Sequence, residues 1–369
     1  MGASYDNING VWHKDSKIYD NIGGTWHPVK KTYDNISGVW HTSASMGGYL
    51  GVVFYGSSPF DLMFSRDGGT LTQLSSLSGF PSNAYAKYIK FSPDGNWLGV
   101  TFGNQNPNKG MMIYKRDGDA FIDTNTTLYD NCPYMNCKFS PDSQYLASIA
   151  YGSSTEFYLS IYKLSNGTWT HLVSPLNNVS HGINAVAWSP NGQYLAVSYN
   201  GYIYVYTHSG DTFTLSYTIT AGSYPWGLCF DPTSSYIASI GSAGAYIYVY
   251  HFTGSQWQVC TNMSGTQQPP YNYNTDPVFT EDGYIAFAAT GGLRLYSYTT
   301  STFTFYGSAY SSGGSSIGVA ISKDGKYFAT SGGGYAVNMF SRVGLTSTLL
   351  SQNYPTDQNQ YVFMDFLDL

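Results

Sequence analysis

From residue 49 to the C-terminus, apolar and polar residues alternate in short runs with a period of two. That period belongs to strands with one face in a core. No apolar run of helical period breaks the series. Six runs share one plan: a strand ending in a large apolar residue, a turn, then a second strand opening with an aromatic. They read "KFSPDGNWLGV" with Phe91, "KFSPDSQYLASI" with Phe139, "AWSPNGQYLAVS" with Trp188, "CFDPTSSYIASI" with Phe230, "VFTEDGYIAFAA" with Phe279 and "AISKDGKYFATS" with Ile321. Their spacing of about 42 to 49 residues is that of a propeller or solenoid repeat.

The turns have readable chemistry. In Ser-Pro-Asp-Gly, Pro fixes φ, Asp tolerates the bend and bonds locally, and Gly supplies a positive φ. Each anchor is followed by a third strand ending in an aromatic, such as "LSIYK" or "YIYVY", and then by a fourth such as "TWTHLV". Four antiparallel strands per repeat make one propeller blade. Residues 49–74 supply three strands of a further blade whose first strand is missing, and "YVFMDFL" at 361–367 is a strand without a blade. Joining the two completes seven blades and removes the open edge of a linear stack. The expected fold is therefore all-β: a seven-bladed propeller over residues 49–369, closed by its C-terminal strand.

A different period precedes it. "YDNINGVWH", "YDNIGGTWH" and "YDNISGVWH" start at Tyr5, Tyr19 and Tyr33, 14 residues apart. Asn-Gly, Gly-Gly and Ser-Gly at their centres suit two-residue hairpin turns. Residues 1–41 thus read as three hairpin repeats, with 42–48 as linker. So small a unit buries too little surface to stand alone. Tyr5, Ile8, Trp12, Tyr19, Ile22, Trp26, Tyr33, Ile36 and Trp40 are its expected attachment face.

Composition narrows the functional classes. Only 10% of residues are charged, and the net charge is −6. Residues 1–42 hold four Lys and four Asp, so the whole excess lies on the propeller. Lys and Arg are scattered singly, which excludes the basic footprint of a nucleic-acid binder and a polybasic membrane patch. The N-terminus lacks the basic and apolar regions of a signal peptide. Nothing approaches the ~18 apolar residues of a membrane span. Cys132 and Cys137 lack a second ligand pair, and His13, His27 and His41 have no carboxylate at fixed register except Asp6, Asp20 and Asp34, so neither set reads as a metal site and no cofactor is expected.

Candidate chemistry in the propeller is sparse. His171, His181, His208 and His251 fall at different depths. Asp130, Asn131, Asp276 and Glu281 lie near first strands without diagnostic spacing. Loops at 130–136, 264–276 and 306–316 are rich in Tyr, Asn, Ser and Gly. Tyr271, Asn272 and Tyr273 form the candidate glycan-binding cluster, since rings stack on sugars while amides bond hydroxyls.

Three resemblances bear on function. The anchors resemble WD-repeat and TolB-like propellers, although the Gly-His and Trp-Asp dipeptides of WD repeats are absent. "SRDGGTLT" at residues 65–72 resembles the Asp-box of sialidase-like propellers. That family's activity implies an inward arginine triad, and the four Arg here (66, 116, 294 and 342) do not supply one. The short repeat resembles tandem Tyr-x-Asn-Ile-x-Gly-x-Trp units of tailed-phage structural proteins. It implies a virion accessory or adhesin subunit, made in the host cytoplasm. Residues 1–41 would hold other virion proteins, and the propeller would face host-surface glycan, with self-association possible. No enzymatic activity is expected on this reading. The alternatives are an intracellular protein-interaction propeller and a propeller hydrolase or lyase.

Overall fold

A computed structural model describes residues 6–8, 11–14, 17–22, 25–28, 32–36, 39–43, 48–55, 61–67, 70–80, 85–103, 110–128, 134–153, 156–221, 224–241, 247–263, 276–281, 283–289, 292–298, 303–308, 318–322, 324–331, 337–353 and 361–368. The chain forms two compact units, residues 1–47 and 48–369. Among the described residues every regular element is a strand.

In the first unit the repeats pair as hairpins, with Ile8 opposite Val11, Ile22 opposite Thr25 and Ile36 opposite Val39. The first two hairpins also join through Trp12 opposite Tyr19, giving a four-stranded sheet; the third stays a separate pair. Tyr5 and the side chains of Ile8, Trp12, Tyr19, Ile22, Trp26, Tyr33, Ile36 and Trp40 lie outside the described residues.

The second unit is seven four-stranded antiparallel blades. Blade 1 places the C-terminal strand Tyr361–Asp368 innermost, followed by Gly48–Tyr55, Asp61–Asp67 and Thr70–Gln73. The closing ladder runs unbroken from Tyr361 opposite Tyr55 to Asp368 opposite Gly48. At its end the strands approach so closely that a Cβ on Gly48 would lie 2.0 Å from the Leu367 carbonyl oxygen. Only Gly fits there. Blades 2 to 7 begin with innermost strands Tyr85–Phe91, Tyr134–Phe139, Ile183–Trp188, Pro225–Phe230, Val278–Phe279 and Gly318–Ile321.

The core is divided. Seven clusters of buried apolar side chains each lie between two adjacent blades. Between blades 3 and 4, for example, Ile149, Leu159 and Ile161 pack on Val186, Leu195 and Val197. Burial of this kind, at about 25 cal/mol per Å² of apolar surface, holds each blade to its neighbours rather than to a common centre.

The turns between first and second strands repeat one hydrogen-bond plan. Ser92 Oγ accepts from the Trp97 N–H at 2.9 Å and donates to Asp94 Oδ1 at 2.5 Å. Ser140 with Tyr145, Ser189 with Tyr194 and Ser322 with Tyr327 do the same. The left-handed position is glycine in most blades but Ser143 (φ 58°) in blade 3 and Ser234 (φ 62°) in blade 5. Those two hydroxyls have a use that glycine lacks. Ser143 Oγ accepts from Asp94 N–H, and Ser234 Oγ accepts from Asn191 N–H, each at 3.1 Å from the preceding blade.

Candidate catalytic cluster at the ring centre

Strand register sets which residues share a level around the ring. Phe91, Phe139, Trp188, Phe230, Phe279, Ile321 and Phe366 stand opposite equivalent residues of their second strands. The residues just before them are Lys90, Lys138, Ala187, Cys229, Val278, Ala320 and Asp365. Blades 1, 2 and 3 therefore put Asp, Lys and Lys at one level, where the other blades have small or apolar side chains. Two residues before Lys90 and Lys138 on the same strands are Tyr88 and Asn136, which leave the backbone on the same side as those lysines; Asp276 lies two residues before Val278, just ahead of the innermost strand of blade 6.

These groups converge. Tyr88 O–H of blade 2 donates to Asp276 Oδ2 of blade 6 at 2.6 Å. Lys138 of blade 3 donates to both the Tyr88 oxygen and Asp276. Its ammonium also sits 5.0 Å from the Tyr88 ring centroid. Asp276 Oδ1 accepts from Leu228 N–H of blade 5 at 3.3 Å. Beside this cluster Lys90 donates to Asp365, whose other oxygen accepts from Phe91 N–H at 2.9 Å. The second pair joins the closing strand to blade 2.

Burial controls the proton positions. The Tyr88 hydroxyl is pushed well above its ordinary range, first by burial and then by the Asp276 carboxylate, so it remains a phenol and a donor. Burial pulls the Lys90 ammonium down, but Asp365 more than offsets it, and the net effect is a raised pKa. Burial lifts the Cys137 thiol to about 12 and the Cys229 thiol well above its usual value, so neither is a thiolate nucleophile at neutral pH. Lys138 and Asp276 have side chains 13% and 11% exposed, which leaves the pair within reach of a small ligand.

Asn136 is different. It is 1% exposed, and neither its Oδ1 nor its Nδ2 has a hydrogen-bond partner among the described residues.

The other polar candidates are structural. His208 stacks on Phe213 at 4.8 Å, and its Nδ1 bonds the Gly192 carbonyl oxygen. His251 stacks on Tyr236 at 4.5 Å. His171 bonds Ser174, and His181 bonds Ser180. Arg66, Arg116 and Arg342 lie over Tyr327, Tyr49 and Tyr284, each an aromatic of the preceding blade. They serve as inter-blade clasps of the cation–π kind. Glu281 is exposed, and Asp130, Asn131, Tyr271, Asn272 and Tyr273 lie outside the described residues. Among the described residues no three His, Cys, Asp or Glu are grouped to hold a metal ion.

Among the described candidates from the sequence, Asp276 enters the cluster. Lys90, Lys138, Asp365 and Tyr88 are not His or Arg and carry no diagnostic spacing. The signal was present in the two "KFSPD" anchors, where Lys repeats at the residue before Phe.

Comparison with known proteins agrees with this architecture. Residues 173–207 match the family described as WD domain, G-beta repeat. No curated protein sequence matches the chain. Solved structures match over nearly the whole propeller. A periplasmic gluconolactonase of Pseudomonas aeruginosa is 18% identical, with 87% of this chain and 99% of that one covered at a TM-score of 0.67. A putative 6-phosphogluconolactonase of Bacteroides fragilis is 14% identical, with 88% and 99% covered at 0.66. Another from Bacteroides uniformis is 17% identical, with 88% and 100% covered at 0.66. At these identities the likeness shows the fold.

These findings correct two expectations. The virion structural role and the absence of enzymatic activity are overturned as expectations: the structures that share this fold, over 87–88% of the chain, are a gluconolactonase and two proteins described as putative 6-phosphogluconolactonases. The physical reason is that a 14-residue hairpin repeat reports only a hairpin. The ionisable groups that converge are Lys138, Tyr88 and Asp276, while the His residues keep to separate local partners.

Proposed function

We propose that the propeller is a hydrolase that opens cyclic esters of the sugar-lactone class at its ring centre. The observation that carries this reading is the Tyr88–Lys138–Asp276 cluster, drawn from blades 2, 3 and 6 of a fold shared with lactonase propellers. Structural ion pairs alone do not require two neighbouring blades and a third across the ring to place a phenol, an ammonium and a carboxylate at one point.

Hydrolysis of a lactone adds water to the carbonyl carbon, breaks the ring C–O bond and yields a hydroxy acid. Asp276 takes the proton from the attacking water. Lys138 has three N–H bonds, two of them committed to Tyr88 and Asp276, and directs the third at the carbonyl oxygen as negative charge develops. Tyr88, held as a phenol, returns a proton to the leaving ring oxygen and recovers one from Asp276. Lys90 stays an ammonium paired with Asp365 beside the cluster. Low local dielectric strengthens each of these interactions.

The test is a pH-stat assay of the full chain on a panel of δ- and γ-lactones, glucono-δ-lactone included. Acid release well above the spontaneous rate is expected for at least one sugar lactone. Rates equal to the spontaneous ones across the panel would remove the hydrolase assignment.

A further inference from the structure

We propose that Asn136 reads ring hydroxyls, and that the site selects a neutral polyhydroxylated lactone over a phosphorylated one. The inference rests on the hydrolase reading above and deepens it.

An amide in this position is costly. Its oxygen and nitrogen are both desolvated, and no described residue replaces the lost water. A buried, unpaired polar group of this kind is rare in folded proteins and points to a missing partner. Asn136 precedes Lys138 by two residues on one strand, so both side chains leave the same face. By strand register it also stands level with Tyr88, one blade round. The partner it lacks therefore belongs on the face of the strand from which Lys138 reaches Tyr88 and Asp276. The chemistry of the amide specifies that partner. Nδ2 donates and Oδ1 accepts, and adjacent hydroxyls of a sugar ring accept and donate in return. A hydrocarbon ring satisfies neither atom.

The charges of the cluster are balanced. Lys138 is matched by Asp276, and Lys90 by Asp365. The described cluster sums to zero, with two ammoniums against two carboxylates. A phosphate would meet no surplus of positive charge there, and Asp276 and Asp365 would repel it. A neutral ring disturbs neither pair.

Asn136→Leu keeps the heavy-atom branching of the side chain and removes both unpaired polar atoms. Two measurements on the full chain read its effect. The first is calorimetric titration with D-glucono-δ-lactam, whose ring resists hydrolysis under assay conditions. The second is the ratio of kcat/KM for glucono-δ-lactone to that for δ-valerolactone, which has no ring hydroxyls. The expected result is lactam binding to the unaltered protein, weakened at least tenfold in Asn136→Leu, with the ratio falling by a similar factor. If Asn136→Leu does not fold, Asn136→Ser replaces it, with the same expectation. Unchanged affinity and ratio, with a raised melting temperature, would mean that Asn136 is only a structural burden, and would overturn the inference. Absence of lactam binding to the unaltered protein would overturn it too. A preference for 6-phosphoglucono-δ-lactone over glucono-δ-lactone would overturn the charge argument. Lactam binding that depends on Asn136, without turnover of any lactone, would remove the hydrolase reading and leave the polyol site standing.

Discussion

Asp61 gives a quantitative test of how the blades are joined. It lies 2% exposed at the start of the third strand of blade 1. Its Oδ2 accepts from Leu77 N–H at 2.8 Å, in the segment that leads into blade 2. Burial lifts its pKa to about 6 from an ordinary 3.8, and the Leu77 bond only partly opposes that. The folded state therefore holds the proton more tightly than the unfolded chain. Below about pH 4 both states are protonated and the group costs nothing. As pH rises through about 6 the buried carboxylate ionises and stability falls. The difference of about 2 pH units corresponds to about 3 kcal/mol at 1.36 kcal/mol per unit. Asp61→Asn keeps an oxygen for Leu77 but buries an amide nitrogen, which costs about 1–2 kcal/mol. At pH 7 the variant should be about 1–2 kcal/mol more stable than the unaltered protein, and near pH 4 less stable by a similar amount. Urea denaturation of both proteins at several pH values measures the difference, and other titrating groups cancel in it. An unchanged difference between pH 4 and pH 7 would refute the reasoning.

Further outcomes follow from the same contacts. Gly48→Ala forces a Cβ against the Leu367 carbonyl and should cost about 3 kcal/mol, read by chemical denaturation. Ser143→Ala keeps the left-handed strain but loses the bond from Asp94, and should cost about 1 kcal/mol; Ser143→Gly should cost less because the strain goes with the hydroxyl. Asp365→Leu strands Lys90 beside an unpaired Phe91 N–H, and should lower stability by about 2–3 kcal/mol in the same assay. Removing residues 1–41 should leave lactone turnover unchanged, since the cluster lies wholly within residues 88–365.

The fold was largely legible because each blade states its plan locally. The anchors at Phe91 to Ile321 mark first strands, and Ser-x-Asp turns with an aromatic five residues on fix the second. Closure was legible too, since 49–74 lacked one strand and 361–367 supplied it. The site was not. Its residues are separated by up to 275 positions in Lys90 and Asp365, and by 188 in Tyr88 and Asp276. No local pattern signals which innermost residues face one another across a ring. Lys90 and Lys138 looked like ordinary strand charges until register put them on one level. Ser143 and Ser234 illustrate the same limit: a serine where glycine is easier makes sense only once the preceding blade's N–H is seen beside it.

The most direct measurement compares the unaltered protein with Asp276→Asn on glucono-δ-lactone in a pH-stat. Asn keeps the size of the side chain but cannot take the proton from water. Loss of a positioned base lowers the rate by about a hundredfold or more. A fall of that size, in a variant that remains folded despite the lost partner of Lys138, is the expected result. Equal rates in the two proteins would contradict the placement of catalysis at the ring centre.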